Sequence, residues 1–173
     1  MDLTFSDEDF AFQMEVRNWI SEHYPEEMKA RKQRSPGGHL SKEDHVYWQQ
    51  ALASKGWAAP GWPVEHGGPG FTPTQRYLFD LEMAKADTPA IIPFGLGMVA
   101  PVIMKYGTEE QKKKWLIPLI NQEMESGFSM TEPDSAGSDP RSLTTTAVKE
   151  GDEWVINGHK IMTSNGQRAD FLV

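Results

Sequence analysis

The chain has 173 residues, 38% of them hydrophobic, with 6 Trp and 8 Phe, so it can bury a core as one medium or two small domains, and global disorder is excluded. A net charge of −8 lacks the basic footprint of a nucleic-acid binder and argues against an anionic membrane surface as partner. There is no cysteine, hence no disulfide, thiolate metal site or cysteine nucleophile, and no apolar run long enough to span a bilayer.

The opening MDLTFSDEDF is acidic and carries neither a signal-peptide nor an Arg-rich transit pattern, which points to a cytoplasmic, bacterial-type protein. Ser6 is the expected N-cap of a first helix, with Asp7, Glu8 and Asp9 in its first turn. Phe12, Val16, Trp19 and Ile20 then form an apolar stripe at helical spacing. Pro25 ends or bends that helix, and Ser35-Pro36-Gly37-Gly38 is a break. Ser41 with Asp44 opens a helix carrying Trp48, Ala51 and Leu52, which stops near Lys55-Gly56. Gly56–Gly70 is too rich in proline and glycine for regular structure. Thr72-Pro73 restarts a helix with Tyr77, Leu78, Leu81 and Ala84 on one face. A helix over about 90–105 includes Pro101, which marks a kink or a start. Thr108 and Gln111 form a capping box for a last helix with Trp115, Leu116, Leu119 and Ile120 inward, its second half in question at Pro118.

After Ser126 the period changes. Thr144–Val148 and Glu153–Ile156 read as strands joined by a turn at Glu150-Gly151-Asp152. Asn157-Gly158 carries the type I′ signal for a second hairpin into Lys160-Ile161. A final strand, Asp170–Val173, leaves an open edge, so a longer protein or a partner is expected to cover it.

The five histidines are scattered, with no metal-ligand spacing. Asp134-Ser135-Ala136-Gly137 is no nucleophile elbow, because Pro133 stands where a glycine is needed. Gly67-Gly68-Pro69-Gly70 lacks the Gly-Lys-Ser/Thr ending of a phosphate loop and reads as a tight turn. The lysines at 112–114 read as a solvated helix face. Two loops stand out. Met130–Asp139 concentrates Thr131, Ser135, Gly137 and Ser138 between prolines, and successive N–H groups there suit an anion such as pyrophosphate as well as they suit an ordinary polar turn. Met162–Gly166 is the second. A sheet that folds back would set both beside one flat polar ligand, an arrangement that suits a flavin better than a metal or a nucleophile.

TEPDSAGSD at 131–139 and INGHKIMTSNGQRAD at 156–170 are joined by YGTEEQKKKWLIPLINQE at 106–123 and GWPVEHGGPG at 61–70. In that order, over nearly the whole chain, these segments resemble the acyl-CoA dehydrogenase family, and the early part is most similar to bacterial members related to pimeloyl-CoA dehydrogenase. The resemblance implies an α+β fold: an N-terminal all-helical domain, residues 1–125, and an incomplete antiparallel β domain, residues 126–173, with the family's C-terminal helical bundle absent from this chain. It implies FAD as cofactor, an acyl-CoA substrate and an electron-transfer flavoprotein as electron acceptor. It also implies a homo-oligomer (dimer or tetramer) or a heteromer, with no nucleic-acid or membrane partner. In the family reaction the α-proton of the thioester leaves while the β-hydride passes to the flavin.

Carried onto this sequence, Thr131 meets the pyrimidine edge of the flavin, and backbone groups at Phe128 and Met130 approach the ring. Ser138, after Gly137, reaches the pyrophosphate and lies near the thioester. Met162 and Thr163 flank the ring, and Ser164 places its hydroxyl where the hydride arrives. Phe94 and Met98 are the candidates for the acyl tunnel. Three features depart from the family pattern. Met162 stands where many members have an aromatic, the 131–139 loop is one residue longer than its commonest form, and none of Glu65, Glu123 or Glu132 matches the catalytic glutamate of the bundle. The expectation is an enzyme whose 173 residues alone do not turn over. A non-catalytic subunit of the same fold and an acyl-CoA oxidase are the alternatives.

Overall fold

The computed structural model describes residues 4–173. Among the described residues six α-helices come first. α1 (Asp7–His23) starts at Ser6, whose hydroxyl accepts from the Asp9 N–H while the Asp9 carboxylate accepts from the Ser6 N–H. It ends before Pro25, which instead opens α2 (Glu26–Arg34). α3 (Lys42–Lys55) is capped by Ser41 and stops at Gly56 in the left-handed region. α4 (Pro73–Lys85) carries the Thr72–Gln75 capping box. α5 (Ala100–Tyr106) and α6 (Glu109–Ile120) follow, α6 with the Thr108–Gln111 box.

Val16, Trp19 and Ile20 of α1 meet Trp48 and Leu52 of α3 in the core, with Trp19 and Trp48 rings 5.6 Å apart. The Gly56–Gly70 segment is irregular apart from one 3₁₀ turn, Val64–His66, and its Trp57, Ala58, Ala59 and Trp62 complete this core.

α4 corrects the sequence reading of its inner face. Leu78, Phe79 and Glu82 are buried, while Tyr77 is 56% exposed and Ala84 is also exposed. Two contacts set this rotation. Phe79 wedges between Trp57 and Phe71, with ring centroids 5.9 and 5.6 Å away. Glu82 accepts from Arg17 Nε at 2.8 Å, Gln13 Nε2 at 2.7 Å and Lys85 Nζ at 3.0 Å. The hydrogen bond from Arg17 leads in holding this carboxyl down to a pKa of about 2.

The helix expected over 90–105 begins later. Phe94–Val99 winds as a π-helix that runs into α5. The Ala100 N–H bonds the Gly95 carbonyl, and the next such bond would need a proton on the Pro101 nitrogen, which has none. The Leu96 carbonyl left over accepts from Trp62 Nε1 at 2.8 Å. α6 runs through Pro118 to Ile120. The missing N–H there costs only the carbonyl of Lys114, which is on the exposed side, and burial of Leu116, Leu119 and Ile120 holds the helix.

Four short strands follow among the described residues. β1 (Ser126–Gly127) pairs in parallel with β4 (Phe171–Leu172), so the last strand is not left alone. β2 (Thr146–Glu150) pairs antiparallel with β3 (Glu153–Asn157). Their two-residue turn is Gly151-Asp152, with positive φ at the glycine only, the pattern of a type II′ turn. The second hairpin expected at Asn157-Gly158 does not form. Asn157 stays in the ladder opposite Thr146, and the chain after Gly158 turns away to meet Thr131. Among the described residues no helix is long and apolar enough to cross a membrane.

Candidate functional site

Beyond β1 the chain stays extended through Phe128–Thr131, and Ile161–Ser164 lies antiparallel against it. The Phe128 N–H donates to the Ser164 carbonyl at 2.9 Å, and the Ser164 N–H returns the bond at 3.0 Å. The Ile161 N–H donates to the Thr131 carbonyl at 2.9 Å. Between these links the hydroxyls of Ser129 and Thr163 are 2.9 Å apart. The two hydroxyl-bearing bends singled out in the sequence therefore lie side by side.

The loop after Thr131 folds over it. A Cβ on Gly137 would sit 2.5 Å from Thr131 Oγ1, so only glycine allows this approach. Asp139 closes the loop by accepting from the Arg141 N–H at 3.1 Å at the start of a short 3₁₀ turn. Thr131, Thr163 and Gly137 are half-buried, whereas Ser138, Ser164 and Met162 are exposed. Met162 is 84% exposed and holds a left-handed φ of 51°, a conformation that disfavours a side chain.

Glu132 is the anchor beneath. It is 3% exposed, and its carboxylate accepts from the Thr144 N–H and Oγ1, both at 2.6 Å, from the Thr145 N–H at 2.9 Å and from Lys160 Nζ at 2.8 Å. These bonds, Lys160 first, hold its carboxyl well below the usual carboxylate range. They also delay β2, because the N–H groups of Thr144 and Thr145 are committed to Glu132 and the ladder starts at Thr146. Lys160 Nζ reaches the Met130 carbonyl as well, at 3.1 Å.

Ser129, Glu132, Lys160 and Asn165 escaped the sequence reading as site residues. Lys160 and Asn165 stood inside a recognised motif with no role, and Glu132 was weighed only as a base. Nothing local marks the Glu132–Lys160 pair, whose members are 28 residues apart.

The sequence candidates for the acyl path lie close by. The Phe94 ring stacks on Phe128, with centroids 6.4 Å apart and planes 7° from parallel, while Met98 is 44% exposed. Neither lines the large cavity on the other side of the π-helix. That cavity has a volume of about 550 Å³ and is walled by Ala58, Trp62, Phe79, Met83 and Leu96, with Arg76 among its polar contacts. Among the described residues no group of three acidic or histidine side chains could hold a metal.

The acyl-CoA dehydrogenase N-terminal domain matches residues 6–123, and the middle domain of the same family matches residues 127–173. The chain is 37% identical over 156 residues to the acyl-CoA dehydrogenase IpdE1 of Mycobacterium tuberculosis, a match covering 88% of this chain and 40% of that protein. Among solved structures it is similar to a chain of the ChsE4-ChsE5 complex from Mycobacterium tuberculosis, with a TM-score of 0.79 and 31% identity over 99% of this chain and 42% of the other. It is also similar to a chain described as the Tcur3481-Tcur3483 steroid ACAD, with a TM-score of 0.78 and 34% identity over 99% of this chain and 44% of the other. The chain belongs to the acyl-CoA dehydrogenase family. It spans less than half the length of these relatives.

Proposed function

We propose that the chain carries the helical domain (1–125) and the first flavin-contacting bends (126–173) of an FAD-dependent acyl-CoA dehydrogenase. The observation that carries this reading is the antiparallel contact of Phe128–Thr131 with Ile161–Ser164, which sets the two bends side by side and brings the hydroxyls of Ser129 and Thr163 to 2.9 Å. The donor set fits the cofactor. Among the described residues the main-chain N–H groups of Met130, Gly137 and Ser138 have no partner, and Ser135 Oγ is buried without one. Flavin rings and pyrophosphates accept such bonds.

When bound, FAD supplies the two-electron acceptor for a hydride leaving the β-carbon of an acyl-CoA. The protein's part is to bind and orient. Thr131 and Ser164 aim donors at the ring and favour its electron-rich reduced form, and Phe128 and Met130 bring backbone against it. Met162 and Thr163 flank the ring, and Met162 offers a thioether as the apolar cover. Gly137 lets Ser138 approach the pyrophosphate and the thioester. Phe94 and Met98 stand on the acyl path.

A bulky acyl group is the favoured substrate class. One similar chain is described as a steroid ACAD, which supports this choice. A cytoplasmic homo-oligomer or heteromer that passes electrons to an electron-transfer flavoprotein completes the proposal. A non-catalytic subunit is the second reading, favoured by the exposed Met162 in place of an aromatic.

The visible spectrum of the purified full-length protein tests both. Bound flavin that bleaches anaerobically with a ring-bearing acyl-CoA, and is reoxidised by electron-transfer flavoprotein rather than by oxygen, supports the dehydrogenase. A folded, colourless protein that takes up no FAD supports the subunit.

A further inference from the structure

Glu125 is the residue just before β1, and it is 3% exposed. Its Oε1 accepts from Asn165 Nδ2 at 3.0 Å and lies 3.3 Å from Arg168 Nη2. Its Oε2 lies 3.7 Å from Nζ of Lys42, which comes from α3. The main chain at Glu125 is held as well, donating to Asp170 Oδ2 at 2.8 Å and accepting from the Asp170 N–H at 2.7 Å. Lys42 Nζ also donates to the Arg168 carbonyl at 2.7 Å. A buried carboxylate is costly unless cations and donors surround it, and this one is surrounded on three sides.

Asn165 is the link to the site. It holds a left-handed φ of 62°, and its amide donates both to Glu125 and to the Ser126 carbonyl, at 3.1 Å. Asn tolerates that conformation better than most residues, yet the two hydrogen bonds fix it here. Ser164 is its immediate neighbour, and the Ser164 peptide is what pairs with Phe128.

We propose that Glu125 is a positioning residue for the Ser164 bend. Acting through Asn165, its buried carboxylate holds the left-handed turn that sets the Ser164 peptide against Phe128. Through Lys42 it ties that bend to the helical layer. No sequence motif assigns this role to Glu125. That the positioned residue serves a flavin rests on the proposed function, but the positioning itself does not.

Hydrogen exchange at the Phe128 and Ser164 amides, measured in the purified full-length protein, reads the positioning without needing flavin. Glu125→Ala is expected to lose protection at these two amides by about tenfold or more relative to amides of the α1–α3 core. Glu125→Gln keeps an oxygen for Asn165 and is expected to restore most of it. Asn165→Gly keeps the left-handed backbone accessible, cuts the side-chain link and is expected to reproduce the Glu125→Ala pattern. If Glu125→Ala does not fold, the Asn165→Gly result decides. Unchanged protection at Phe128 and Ser164, or a loss spread evenly over the protein, overturns the proposal. In the flavin-loaded protein, the Gln variant should keep the wild-type reduction potential and Asn165→Gly should lower it. Absence of flavin from the wild type would count against the functional reading and leave the amide result to judge Glu125.

Discussion

Lys160 and Glu132 meet beneath the two bends, Nζ to Oε1 at 2.8 Å, with the lysine also on the Met130 carbonyl. One side chain thus fastens the 161–164 segment to the 130–132 segment. Lys160→Met should lower flavin affinity by about tenfold or more, since it strands a buried acceptor. It should leave the helical layer folded. Flavin titration together with far-UV circular dichroism checks both halves of this expectation.

The same pair carries a pH dependence. The Glu132 carboxyl is depressed in the folded state, so its stabilising contribution is complete above the ordinary glutamate range and drains away as pH falls below it. Acidification below about pH 4.5 should therefore loosen the bends as well as the core. Flavin release followed by fluorescence should rise over that window, and Glu132→Gln should show a weaker pH dependence there.

Glu82 makes a parallel case in the helical layer. Its folded pKa of about 2 means the Arg17 and Lys85 contacts stabilise fully near neutrality and fade as pH falls from about 4.5 toward 2. Both cations are half-exposed, which screens the interaction. Glu82→Gln should cost about 1–3 kcal/mol at pH 7 and almost nothing near pH 2. Urea unfolding at the two pH values measures the difference.

On the proposed function, removing one ring donor should shift the flavin potential. Ser164→Ala or Thr131→Val deletes a hydrogen bond worth about 1 kcal/mol, which is about 20 mV for a two-electron couple. The shift should be negative, because the reduced flavin loses more than the oxidised one. Spectroelectrochemistry reads it directly, and no shift in either variant would remove both residues from the ring.

What could be read from the sequence was local. Ser6, Ser41, Thr72 and Thr108 each announced a helix start within four residues, and each caps one. The stripe on α1 was equally legible, because apolar spacing alone settles it. The face of α4 was not. Phe79 and Glu82 turn inward because of Trp57, Phe71 and Arg17, which lie far away along the chain. Asn157-Gly158 misled for a related reason, since its preference for a tight turn lost to pairing of Asn157 with Thr146 and of Ile161 with Thr131. At the site, hydroxyl-rich loops could be recognised by composition. The buried charges that fix them, at Glu125 and Glu132, could not, because Lys160 is 28 residues from Glu132 and Asn165 is 40 from Glu125.

The parallel pairing of β1 with β4 has a consequence for biogenesis. Glu125 and Asp170, which flank it, are 45 residues apart in the chain. On a ribosome the helices can collapse as soon as α6 has emerged, but Ser126 must wait for Phe171 before its strand has a neighbour. Until then the stretch carrying both bends is an unclosed loop, so the two bends should become ordered together, once Phe171 has emerged.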